Sequence, residues 1–440
     1  MAQTHFSKLD EESKALHDSW DHIFRIILLV TLLTFMVWAC TSLLRYSVHA
    51  ALELLFHPFE EEHQEHLSMG ITLSVVMVLG GWIRGLLTAK PQWAAAMGDG
   101  MNDALRNYHI TKNRDTDGPS LRYQRPSFSA ALRKCMTTLI TLGTGNSGGL
   151  EAPMVAISEG LSSGFARIMQ VRNGFELRTY QLAGISAAVS TLLGAPFTAA
   201  LFATEILYGD RIIYRNLAYS MWAGVIAYIL NNRFHGFKPL FVTAAHTPEY
   251  TIYEYGGSVL VALTVAVPVT IGFAYLVSSA DRLMGHVESQ WQAVWTSFLS
   301  AVVALLWFWG FGISPSIILG MGEGFLEDIL TGEDHSLSIK ILSLALIGKM
   351  IATGLTMRGG GSAGLLIPSM FFGGVAGALT ALVFSNMTGV SLDPSLFAVV
   401  GISSSLVAVI GVPLASIALV LEVLGLPLDL LPFWQVVLPT

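Results

Sequence analysis

Long stretches of this chain carry no charged residue: Ile26–Leu44, Thr179–Thr204, Gly256–Ala280, Trp291–Gly322, Gly359–Leu392 and Pro394–Leu421. Several exceed the roughly 20 residues that span the hydrocarbon core of a bilayer. Charged residues make up 12% of the chain, about half the usual share of a soluble protein, and the mean hydropathy is +0.59. The pattern predicts an all-α polytopic membrane protein. The net charge of −7 sits in the segments between spans and says little about partners. Cys40 and Cys135 lie in or beside apolar segments and read as small core residues, not as a disulfide or metal ligands.

In chain order, Met1–His22 is polar and mixed in charge, without a signal-peptide layout, and is expected to form a short helix at the membrane surface. Ile26–Leu44 is the first span. Residues 53–66 are acidic, and Leu67–Leu87 is a second span interrupted by Arg84. Residues 106–134 carry seven basic residues against Asp115 and Asp117, so the positive-inside rule puts that loop in the cytoplasm, the 53–66 loop outside, and the amino terminus in the cytoplasm. Later segments alternate apolar runs with Gly/Pro breaks, and many are too short to cross perpendicularly. No loop is long enough for a soluble domain, and no cytoplasmic regulatory domain is expected after Thr440.

One break stands out. Met136–Leu142 runs into the glycine-rich stretch Thr144–Gly160, which holds a lone carboxylate, Glu151, two residues before Pro153. Proline suits the first turn of a helix, where its missing N–H costs nothing. A helix start carries partial positive charge and binds anions. Irregular backbone at membrane depth is tolerated only inside protein or along a wet cavity. Glu151 therefore reads as part of an ion site; the plain alternative is a helix-capping acid.

The chain also repeats itself. Gly184-Ile185-Ser186 recurs as Gly401-Ile402-Ser403, Gly194-Ala195-Pro196 as Gly411-Val412-Pro413, and Glu205 as Glu422, all at an offset of 217. Ser147–Pro153 matches Ser362–Pro368 at an offset of 215. Two similar halves with broken helices are the layout of transporters whose substrate site lies between repeats near the midplane.

These residues resemble the CLC family of chloride channels and proton-coupled chloride transporters. The family's Gly-Arg-Glu-Gly-Pro is similar to Gly149-Leu150-Glu151-Ala152-Pro153, its Gly-x-Phe-x-Pro to Gly364-Leu365-Leu366-Ile367-Pro368, and its Gly-Ser-Gly-Ile-Pro to Gly98-Asp99-Gly100-Met101-Asn102. Lys349 stands where the family carries a basic residue ahead of the second loop. The resemblance, from about Ile26 to the end, implies two inverted-topology repeats of tilted and broken helices in a homodimer with one pore per subunit. It implies that Glu151 is the gate, occupying an anion site when ionised and swinging aside when protonated. It implies anion binding by Leu365 and Leu366, flanked by Gly364 and Ile367, by Gly149, Leu150 and Ala152 around the outer position, and by Asp99 and Gly100 in the first motif.

The departures from the family qualify this. Leu150 replaces the arginine before the gate, and Leu366 a phenylalanine. Asp99 replaces a serine that would donate to the anion; it is either a helix cap or a group facing the site. Ile206 stands where proton-coupled members carry a second acid, so proton coupling is not expected through that position. The family's final helix, with its anion-contacting tyrosine, lies beyond the segment matching Leu430–Thr440. Glu205 and Glu422 read as buried acids capping backbone at the subunit interface.

Weaker signals remain. His57, His63 and His66 read as part of a solvated loop, and Trp291 and Trp295 as interfacial anchors. There is no phosphate loop, no nucleophile–base pair and no nucleic-acid surface. The expected organisation is a cytoplasmic segment 1–22 and a transport domain 23–440, with repeats at about 67–232 and 256–440, in a prokaryotic inner membrane. The expected function is passage of chloride or a similar small anion, without a cofactor and without enzymatic activity. Alternatives are a cation- or proton-coupled anion transporter using Asp99, and an intramembrane enzyme.

Overall fold

The structure, a computed structural model, describes residues 2–60, 66–113, 127–171, 174–208, 213–236, 241, 252–332 and 337–423. Among them there is no strand. The helices are α1 (Ala2–Glu60), α2 (His66–Thr88), α3 (Pro91–Ala94), α4 (Met101–Asn113), α5 (Ser127–Gly143), α6 (Glu151–Ile168), α7 (Gly174–Leu193), α8 (Pro196–Tyr208) and α9 (Tyr214–His235). They continue with α10 (Ile252–Thr264), α11 (Thr270–Met284), α12 (Ser289–Phe311), α13 (Pro315–Ile318), α14 (Glu323–Thr331), α15 (Ile339–Arg358), α16 (Leu366–Thr388), α17 (Pro394–Ser405) and α18 (Pro413–Val423).

Six stretches among the described residues are long and apolar enough to cross a bilayer: Trp20–Phe59, Leu67–Thr88, Ile252–Met284, Ser289–Phe311, Ile339–Arg358 and Leu366–Thr388. Their outward faces stay apolar and uncovered. Leu28, Leu32 and Phe35 on α1 and Trp291, Trp295 and Leu306 on α12 are exposed, as a lipid-facing surface requires. The chain is an integral, multi-pass membrane protein.

Three expectations need correction. The polar amino-terminal stretch is not a separate surface helix but continues into the first span, because no glycine or proline falls between Ala2 and His57 to break it. The basic 106–134 segment is not a loop throughout: its ends belong to α4 and α5. Residues 114–126, with Arg114, Asp115, Asp117, Arg122 and Arg125, lie outside the described residues, as do 61–65 with His63, the side chains of Lys112 and His66, and 430–440. Arg84 does not interrupt α2; it sits inside the helix, fully buried. Pro268 is accommodated in a π turn, Val265–Val269, that joins α10 to α11, where one extra residue absorbs the missing donor. Cys40 and Cys135 are free thiols facing one another, Sγ to Sγ 3.8 Å.

The repeat is visible in how the short helices close on each other. Glu205, near the end of α8, accepts from the N–H groups of Leu414 (3.0 Å) and Ala415 (2.9 Å) at the start of α18. Glu422, at the end of α18, accepts from Phe197 N–H (2.9 Å), Thr198 N–H (2.7 Å) and the Thr198 hydroxyl (2.8 Å) at the start of α8. Each half thus caps a helix of the other, satisfying donors a helix start leaves open.

Candidate functional site

Two glycine-rich loops meet where the halves join. The first leads from α5 to α6, the second from α15 to α16. Each has a glycine with positive φ at the same repeat position, Gly145 (93°) and Gly360 (64°), a conformation that side chains disfavour. The loops then pair main chain to main chain: Gly149 N–H donates to Gly364 C=O at 2.8 Å and Gly364 N–H to Gly149 C=O at 2.7 Å. Hydroxyls repeat the exchange. Ser147 bonds Thr353 at 2.9 Å and Ser362 bonds Thr138 at 2.8 Å, and both members of each pair are buried.

Two buried cations brace this junction. Lys349 on α15 donates to Gly320 C=O (2.9 Å) and Leu319 C=O (3.2 Å) and lies 5.5 Å from the Phe371 ring centre. Gly320 in turn bonds both ways to the first loop, accepting from Gly148 N–H and donating to Gly145 C=O, each at 3.1 Å. Arg84 reaches Asn146 Oδ1 at 3.2 Å and Ser297 Oγ at 2.6 Å.

Beyond the glycine pair each chain turns into a helix, α6 after Leu150 and α16 after Leu365. Pro153 and Pro368 hold the third place in each and have no N–H to offer. Among the described residues, the N–H groups of Leu150, Ala152, Leu365, Leu366 and Ile367 have no backbone partner. Two positive helix ends therefore converge on one spot. The N–H groups of Gly149 and Gly364, expected to bind an anion, are spent on each other and serve as ties.

The Glu151 carboxylate occupies that spot. The side chain is buried, 3% exposed, and its carboxylate faces its own N–H and that of Ile367 at the start of the other helix. Among the described residues its Oε2 has no hydrogen-bond partner, and it lies against Gly149, where a Cβ would collide with it. Arg45 and Glu323 lie within electrostatic reach of it. An anion mimic thus rests where two helix starts would receive an anion.

Asp99 and Gly100 are placed differently from the expected pocket wall. Asp99 Oδ1 accepts from Met101 N–H at 3.2 Å, capping the start of α4. Of the two readings left open for Asp99, this bond is the cap. Gly98 N–H is bound to Gly360 C=O at 3.1 Å, and Lys134 Nζ donates to Gly98 C=O at 2.5 Å and Ala96 C=O at 3.2 Å. Gly100 packs against Lys134 and Ala156. Lys134 closes a basic run in the sequence yet is buried; its apolar neighbours on α5 are the signal of that. The hydroxyl pairs carry a signal too, since the 215 offset links Ser147 to Ser362 and Thr138 to Thr353, but sequence reasoning does not single them out.

Two cavities are lined by elements that adjoin the junction. One, of about 440 Å³, is lined by His49, Glu53, His57, Glu323 and Glu327 among others. The other, of about 610 Å³, is lined by Asp103, Arg106, Arg133, Lys134, Ala156 and Glu159 among others. His57 lines the first of these cavities and is itself exposed to solvent. Among the described residues no group of three or more His, Cys, Asp or Glu is placed to hold a metal ion.

A family model described as voltage gated chloride channel matches residues 80–438. The chain is 25% identical over 297 residues to an uncharacterized protein of Methanocaldococcus jannaschii, covering 67% of this chain and 69% of that one. It is 22% identical over 301 residues to the voltage-gated ClC-type chloride channel ClcB of Citrobacter koseri, covering 68% and 69%. Its fold matches the crystal structure of a slow cyanobacterial chloride/proton antiporter with a TM-score of 0.74 at 15% identity, over 94% of this chain and 93% of that one.

Proposed function

The chain belongs to the voltage gated chloride channel family, whose members are anion channels and antiporters, and from that premise we propose that it passes chloride or a similar small anion along a path gated by Glu151. The observation that carries the gate is the Glu151 carboxylate itself, buried at the convergence of two helix starts and facing Ile367 N–H. While ionised it fills the position an anion needs. Protonation removes its charge and weakens its hold on the N–H groups, and an anion replaces it. The N–H groups of Leu365, Leu366 and Ile367 receive that anion from one helix, those of Leu150 and Ala152 from the other. Backbone donors serve here without a lysine or arginine because low dielectric strengthens them.

The bond from Met101 N–H to Asp99 Oδ1 favours the cap of its two readings. The same proposal includes repeats at about 67–232 and 256–440, a homodimer in a cell membrane with the basic 106–134 segment in the cytoplasm, and the 1–22 segment on that same side.

The gate is tested in liposomes carrying the purified protein. Glu151→Gln, a mimic of the protonated acid, is expected to raise passive anion flux at least tenfold at neutral pH and to flatten its pH dependence. Unchanged flux with an unchanged pH response would remove Glu151 from the gate. Crosslinking in membranes checks the dimer, and a monomer alone would count against it.

A further inference from the structure

Glu159 lies on α6 two turns beyond Glu151. It is buried, 3% exposed, and sits mid-helix, where every N–H already has a helical partner and a carboxylate has nothing to cap. Its Oε1 accepts from Ser163 Oγ at 2.8 Å and from Gln181 Nε2 on α7 at 3.0 Å. Its Oε2 accepts from Asn107 Nδ2 on α4 at 3.4 Å. These three donors are neutral, and a hydroxyl can reverse its bond and an amide can rotate when the acid takes up a proton.

Glu159 also lines the 610 Å³ cavity on the side of the basic segment. The charged groups facing that cavity are Asp103 and Arg106 from α4, Arg133 and Lys134 from α5, and Glu159 from α6; α7, which does not line it, meets Glu159 through the neutral Gln181. The cavity extends along α6 as far as Ala156 and also meets Gly100, just before α4. Along the helix axis Ala156 is about 7.5 Å from Glu151, and Glu159 about 12 Å, at 1.5 Å per residue. A carboxylate inside a membrane, turned to a cavity, is the arrangement of proton relays.

We propose that Glu159 is the inner proton-exchanging acid of this protein, loading protons from the cavity and passing them along α6 to Glu151 in exchange for anions. The proposal rests on the reading of Glu151 as the gate of an anion path. A proton leaves cavity water for a Glu159 oxygen and neutralises that carboxylate. It crosses the remaining gap through a short file of water to a Glu151 oxygen, leaving Glu159 ionised again. Neutral Glu151 yields its place at the helix starts to an anion and releases the proton to the other cavity. Glu159 thereby supplies, from α6, an acid that Ile206 does not.

The test uses the full chain in liposomes under a chloride gradient, with chloride efflux and external pH recorded together. Wild type is expected to move protons in fixed ratio to chloride. In Glu159→Gln that proton-to-chloride ratio should fall at least tenfold, and Glu159→Asp should restore much of it. Chloride efflux in the same vesicles reports that each variant is folded, and a staple between α4, α6 and α7 alone would leave the ratio unmoved. Wild-type chloride efflux without proton movement, or an unchanged ratio in Glu159→Gln, would overturn the proposal. Absence of any anion flux from wild type would instead overturn the anion-path reading beneath it.

Discussion

The loops 145–153 and 360–368 share a backbone and differ at one place that matters. Gly145 and Gly360 turn alike, Ser147 and Ser362 reach across to matching threonines, and Gly149 and Gly364 bind each other. At the first helical position the match ends: Glu151 stands in one half and Leu366 in the other. Both loops present helix starts with open N–H groups, but only one presents a charge that can take their place. A symmetric cradle makes an anion site. One carboxylate in it makes the site conditional.

The comparison is broken most strongly at the donors. Proline in place of Leu366 removes one N–H from the second helix start while suiting the first helical position. Hydrogen bonds to charged groups contribute about 1.5–3 kcal/mol, so Leu366→Pro should weaken chloride binding by roughly 10- to 150-fold by isothermal titration of the detergent-purified protein. Unaltered affinity with the fold intact would exclude Leu366 as a donor.

Alanine at the paired glycines should then have unequal results. A Cβ on Gly364 would stand 2.9 Å from Ala152 N, which is backbone. A Cβ on Gly149 would press on the Glu151 carboxylate, the free end of a side chain. Gly364→Ala is expected to cost about 1–3 kcal/mol through overpacking, read as a lower unfolding midpoint. Gly149→Ala should lose less stability and displace the carboxylate, raising anion flux toward that of Glu151→Gln. Equal loss of stability in the two variants would erase the distinction between the loops.

Symmetric pairs should respond symmetrically. Glu205→Gln and Glu422→Gln each weaken a charged cap on the opposite half, expected to cost about 0.5–2 kcal/mol apiece. Ser147→Ala and Ser362→Ala each remove one buried hydroxyl pair and should cost about 1 kcal/mol apiece. Thermal unfolding of each pair side by side checks both; a twofold or larger disparity within a pair would show that the halves bear load unequally.

Much of this arrangement is legible in the chain itself. Uncharged runs longer than a bilayer dictate membrane helices, and the 215 and 217 offsets expose the repeat. Glu151 stands out because an acid set between Gly-Gly and Pro in apolar surroundings is costly to keep unless it meets ions or caps a helix. What stays hidden depends on contacts between residues far apart in the chain. Nothing near Gly149 announces that its N–H is taken by Gly364, 215 residues later. Lys134 closes a basic run, and its apolar neighbours on α5 only hint at the burial that its bonds to Ala96 and Gly98 complete. Asp99 could face either way, because a cap and a ligand differ by a rotation of one side chain. Glu159, two turns from a conspicuous acid, is overshadowed by it.

The main-chain exchange between Gly149 and Gly364 bears on speed. Carriers that admit substrate by rocking one repeat against the other move whole bundles, on microsecond to millisecond timescales. Here such rocking at the site would break two hydrogen bonds of 2.7 and 2.8 Å together with both serine–threonine links. The low-cost moving part is a carboxyl group turning about single bonds, a motion of picoseconds to nanoseconds once its neighbours permit it. Turnover is then paced by how often that group acquires or sheds a proton, and bilayer thickness and viscosity, which resist moving bundles, should have little hold on it.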